Sequence, residues 1–135
     1  MATGRPVLHL ANWASRSLHR GRVWTIMART PRWVVADGEV AALTPSVFDL
    51  DALHAETLEP EEYRRRFGLL LEVNGRGRGL EPGRLQALEP RSRRTFAVQD
   101  GDTLCCTCST DQAAAGWCHR VWCAPALEAV GWAVI

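Results

Sequence analysis

The chain has 135 residues, a formal net charge of +1, 47% hydrophobic and 23% charged residues. That is the make-up of one globular domain with a core of its own; the charge gives no broad electrostatic pull toward nucleic acid, so such binding would need a local patch, and the apolar runs are too short to span a bilayer. The short N-terminal apolar stretch is broken by His9 and Asn12, unlike a secretion signal, so the expected location is the cytoplasm and no membrane partner is expected. All sixteen basic residues are Arg, a bias that fits base composition or a hot habitat better than a function. The five cysteines cluster between residues 105 and 123, which is not the spaced framework of a secreted disulfide scaffold, so reduced thiols are expected.

Taken in order, Pro6 to Ala11 reads as a strand ending near Asn12, with a polar loop through Ser15. Arg22 to Ala28, crowded with β-branched and aromatic residues, reads as a second strand stopped at Pro31. Arg32 to Gly38 suggests a brief extension with a turn at Asp37-Gly38. Thr44-Pro45-Ser46 opens a helix through Val47, Phe48, Leu50 and Leu53, capped by Ser46 or Thr44. A stronger helix starts at Pro60, with Glu61 and Glu62 at its positive end and Tyr63, Phe67, Leu70 and Leu71 on one face. That stripe is expected to be core. Arg64-Arg65-Arg66 is expected to be a solvated face, with Glu61–Arg65 and Glu62–Arg66 pairs.

The run Gly75-Arg76-Gly77-Arg78-Gly79 ends this helix; it follows a helix and lacks the Lys-Ser/Thr of a P-loop, so it reads as a plain loop. Glu81 to Leu88 suggests a short helix, Arg91, Arg93 and Arg94 a basic surface cluster, and Thr95 to Val98 a short strand. Thr103 to Cys108 is a nearly continuous run of small apolar residues of the kind a central parallel strand needs. After a loop from Ser109 to Gly116, Val121, Trp122, Leu127 and Val130 follow helical periodicity up to Gly131. Pro125 inside that pattern removes a backbone hydrogen bond at a cost of about 3 kcal/mol, which predicts a kink or restart near Ala124. Trp132 to Ile135 reads as a last strand. Strands alternating with helices predict a single-domain α/β fold over residues 1–135, an open, mostly parallel sheet flanked by helices.

The chemistry concentrates at the cysteines. Side chains alternate along a strand, so Leu104, Cys106 and Cys108 share one face while Cys105 and Thr107 take the other. Cys118 and His119 precede the last helix, where free backbone N–H groups and the dipole favour an anion and lower a thiol pKa, and Arg120 acts in the same direction. Ligands of open α/β sheets sit at the carboxyl ends of strands, which would bring Asn12, Ser15, Arg29 and Cys108 toward this helix start. Three readings compete: Cys118 as a nucleophile assisted by His119 or Arg120, a zinc site of irregular spacing, and cysteines that are merely small buried hydrophobes. The last is preferred for Cys105, Cys106 and Cys123 as regards reactivity, and neither metal nor cofactor is expected.

These residues also carry a family resemblance. Leu104-Cys105-Cys106, a short loop, then Cys118-His119-Arg120 and a helix ending at Gly131-Trp132 look like the domain of unknown function 488 family. Its small bacterial and phage members share Asn12 and Ser15, Ile26 to Arg29 with Pro31-Arg32-Trp33, Leu43-Thr44-Pro45, and Glu62-Tyr63 on an Arg-rich helix. Cys108 departs from the pattern, where members more often carry an acidic or small residue. The resemblance implies an α/β fold and a site near Cys118, without a mechanism.

The leading expectation is a pocket for an anionic ligand, a nucleotide or nucleic-acid phosphate. Cys118 and His119 are its catalytic candidates, and Asn12, Ser15, Arg29, Arg120, Cys106 and Cys108 its ligand-binding candidates. The alternative is a non-catalytic, phage-like or host-modulating adaptor that binds a larger protein machine through its Trp- and Arg-rich surface. Exposure of Trp13, Trp24 and Trp33 together would favour that alternative.

Overall fold

The computed structural model describes residues 4–29, 34–76, 79–106 and 119–135. Its strands are β1 (Val7–Asn12), β2 (Val23–Thr25), β3 (Gly38–Glu39), β4 (Gln86–Glu89), β5 (Arg94–Ala97), β6 (Thr103–Cys106) and β7 (Ala133–Val134). The helices are α1 (Val47–His54), α2 (Pro60–Arg76) and α3 (His119–Ala129), with short 3-10 turns at Arg16–Leu18 and Ala41–Leu43. The strands form one sheet in the order β5-β4-β3-β2-β6-β1-β7. The β2–β3, β2–β6, β6–β1 and β1–β7 pairs are parallel, while β3–β4 and β4–β5 are antiparallel. The fold is therefore α/β with a mixed, mostly parallel sheet, as the alternation of strand and helix patterns predicts.

Strand β6 lies between β2 and β1, and all four of its residues are buried. That explains its composition, since a strand covered on both faces has no solvent side on which to carry polar residues. Alternation then splits its side chains. Leu104 and Cys106 join the main core with Leu8, Trp24, Ile26, Phe67, Leu71, Cys123, Leu127 and Trp132, whereas Cys105 joins Ala11 and Trp13 in a small second cluster. Helices α2 and α3 cover the first face: Tyr63, Phe67 and Leu71 of α2 and Cys123 and Leu127 of α3 are buried.

Helix α1 begins as its sequence predicts, with the Ser46 side chain accepting from the Asp49 N–H. It buries none of its own residues, and Phe48 is 83% exposed. Its tie to α2 is polar, an Arg66–Asp49 ion pair at 2.9 Å. On α2 the expected Glu62–Arg66 contact is present at 3.4 Å, but Arg65 reaches back one turn to the same Glu62 at i,i+3, 2.5 Å away.

Three expectations change. Residues Glu81 to Leu88 are not helical: Gly83 has φ +85°, and Leu85 and Ala87 are buried while Gln86 and Leu88 face solvent, a period of two that makes β4. Gly38 is a strand residue and not half of a turn. A Cβ there would lie 2.6 Å from the Leu88 carbonyl oxygen and 2.9 Å from the Trp24 ring, so only glycine allows β3 to approach β4 this closely. Helix α3 runs unbroken through Pro125. The proline is on the exposed side of the helix, where water can replace the bond its missing N–H would have made. Gly131, φ +114°, ends the helical run as expected.

Candidate site at the carboxyl ends of the parallel strands

Strands β1, β2 and β6 end together, and the first residues of α3 return to that edge. In the β1–β6 register Asn12 stands beside Cys106. By alternation both point to the helix-covered face, as Leu8 and Leu10 do on β1 and Leu104 does on β6. Cys106 is fully buried.

Arg120, on the first turn of α3, extends over Cys106 and places Nη1 3.8 Å from its sulfur. It is only 9% exposed, and among the described residues no carboxylate pairs with it. A thiol is a weak acceptor for a guanidinium that carries five N–H donors. Among the described residues the site therefore has a largely buried positive charge whose side-chain partner is a thiol, at the end of the sheet where α/β proteins hold ligands.

His119 is anchored. Its Nε2 lies 2.7 Å from the Ile26 carbonyl oxygen just past β2, and its ring stands edge-on to Phe67 at 5.7 Å. A carbonyl only accepts, so Nε2 carries the proton and donates it, which fixes the tautomer and ring direction. Trp122, one turn along, packs against both Phe67 and Tyr63, and the Arg64 guanidinium lies 5.5 Å from its ring centre. The aromatic stripe of α2 thus supports the helix start as well as filling the core.

The remaining predicted residues divide. Asn12 is 9% exposed, and its Oδ1 accepts from the Ser15 N–H at 2.8 Å, closing a tight turn after β1. Ser15 thus acts through its backbone in shaping the loop next to the site. Arg29 was expected to turn toward the helix start, but its side chain is 61% exposed and holds Asp51 of α1 through two hydrogen bonds. The guanidinium beside it holds the Asp51 carboxyl below the usual range. Cys108 and Cys118 lie outside the described residues.

Sequence reasoning overlooked His19. Its Nε2 donates to the Asn12 carbonyl oxygen at 2.9 Å and lies 3.4 Å from the Cys105 sulfur on the other face of β6. The same N–H faces both groups, so His19 cannot be the base that ionises Cys105. Burial instead pushes the Cys105 thiol up to about 12, against a smaller opposing pull from Arg120. Only the short spacing from Asn12 to His19 hinted at this contact.

Trp13 and Trp24 are 5% and 0% exposed, so neither presents a docking surface; Trp33 lies outside the described residues. No described helix is long and apolar enough to cross a membrane. Comparison with protein-family models, curated proteins and solved structures returned no match.

Proposed function

We propose that this protein binds an anionic, phosphate-bearing ligand at the carboxyl ends of β1, β2 and β6. Cys118, immediately before the anchored His119, would be its candidate nucleophile. The observation that carries this reading is Arg120: nine-tenths buried, over the Cys106 sulfur, and without a carboxylate among the described residues. A buried guanidinium with no counter-charge is costly, and a bound oxyanion would supply that charge together with better acceptors than a thiol for its N–H groups. Asn12 and the Ser15 turn would shape the rim, and His119, whose Nε2–H is given to the Ile26 carbonyl, would accept a proton through Nδ1 beside the ligand. The likeness to the domain of unknown function 488 family belongs to the same proposal, because it too implies a site near Cys118.

The test combines inorganic phosphate and ATP titrations with iodoacetamide labelling mapped by mass spectrometry. Saturable binding that is weakened in Arg120→Lys, with phosphate slowing alkylation of Cys118, is the expected result. Lysine keeps the charge but loses the two-pronged geometry of the guanidinium. Absence of binding, or binding equal in wild type and Arg120→Lys, overturns the anion site. A Cys118→Ser variant with unchanged total labelling overturns the nucleophile alone.

A further inference from the structure

The opposite face of the sheet carries a separate concavity. Trp13, Arg16, His19, Val23, Val34 and Val35 line a depression of about 260 Å³, just under the roughly 300 Å³ at which small-ligand sites begin. Its walls are mainly apolar, but two polar features stand out. The Trp13 indole Nε1 is buried without a hydrogen-bond partner, the one such side-chain atom among the described residues. Arg16 is exposed and makes no ion pair among the described residues, and none of the six lining residues is acidic. His19 stands edge-on to Trp13 at 5.7 Å and is fixed by its bond to the Asn12 carbonyl, so its ring gives the depression one fixed edge.

We infer that this depression is a second ligand site and that it takes a small aromatic carboxylate. The valines and the two rings suit one planar apolar ring, which loses little on leaving water. A purely hydrocarbon guest would leave both the indole donor and Arg16 unanswered. A strongly hydrated anion such as phosphate would give up its water against valine side chains and gain few donors in return. An aromatic ring bearing a carboxylate meets both demands once the Trp13 ring turns its N–H toward the guest. This site is independent of Arg120, because Trp13 and Ala11 belong to the cluster on the other side of the sheet.

Benzoate is the probe, with benzyl alcohol as its neutral counterpart, followed by NMR of protein with nitrogen-15 in its indole groups. Benzoate is expected to move the Trp13 N–H resonance saturably, with benzyl alcohol binding about fivefold more weakly and Arg16→Gln removing that difference. Trp13→Phe, which keeps an aromatic wall and deletes the donor, should weaken benzoate while leaving the thermal transition cooperative. A Trp13 resonance that stays fixed at saturating benzoate overturns the inference, as does equal benzoate affinity in wild type and Arg16→Gln.

Discussion

Cys105 and Cys106 are neighbours on one strand, are both fully buried, and have opposite surroundings. Cys106 faces the helices, within the large core and under the Arg120 guanidinium. Cys105 faces a small cluster with Ala11 and Trp13, beside a histidine whose facing N–H is already given to a carbonyl. A peptide step of one residue thus separates a thiol that borders a positive charge from one that desolvation holds protonated. Residue type and burial are identical, so the difference lies entirely in which layer each side chain enters.

The largest expected effect tests the two layers through their packing. Leu104→Ala, on the helix-covered side, should cost about 2–5 kcal/mol in urea unfolding. Cys105→Ala, which deletes one buried atom, should cost only about 1 kcal/mol. Equal losses would mean that the small cluster is as demanding as the main core. Next comes Arg120→Met, which exchanges a buried charge with no carboxylate among the described residues for an apolar chain of similar length. Without ligand it should leave stability unchanged or raise it by about 1–4 kcal/mol, while abolishing phosphate binding. A marked destabilisation would show that Arg120 is already compensated.

Alkaline pH gives a smaller effect that bears on Cys105 alone. Its folded thiol titrates near 12 against an ordinary value of 9.0, so between these values the unfolded chain releases a proton that the folded chain keeps. Stability from this residue is therefore complete below pH 9 and declines as pH rises toward 12. The wild-type melting temperature should fall more steeply between pH 8.5 and 10 than that of Cys105→Ala, with parallel curves contradicting the assignment. The smallest effect lies on the surface. Glu62, held at about 2 by Arg65 first and Arg66 second against an ordinary 4.5, contributes above pH 4.5 and loses its contribution as pH falls toward 2. Glu62→Gln should flatten that acid limb slightly, measured by circular dichroism in low salt.

Much of this was legible in the sequence because β6 must bury both faces and α2 must bury one. Those requirements write a continuous apolar run and a 3.6-residue stripe directly into the chain. The division of Cys105 from Cys106 followed from strand alternation alone. Other features depended on partners distant in sequence. Gly38 looks like a turn residue until Leu88 and Trp24 press against it. Leu85 and Ala87 were obscured by Pro82 and Gly83, whose turn chemistry resembles a helix start. The Arg29 side chain is taken by Asp51, an ion pair that no local pattern announces. His119 kept its place because Phe67 and the Ile26 carbonyl fix it from two other elements.

Strand order also bears on assembly. Strands β1 and β2 are consecutive in the chain yet do not touch, because β6 enters between them and pairs with both. During synthesis the first hundred residues therefore hold a slot that nothing local can fill, and loop closure over that span delays the nucleus. A fragment ending at residue 100 should remain unfolded, and a separate peptide of residues 101–135 should restore structure when added to it. The strand that carries the two cysteines is thus the last of the interior strands to arrive and the one that joins the two halves, so the candidate site exists only once the sheet is whole.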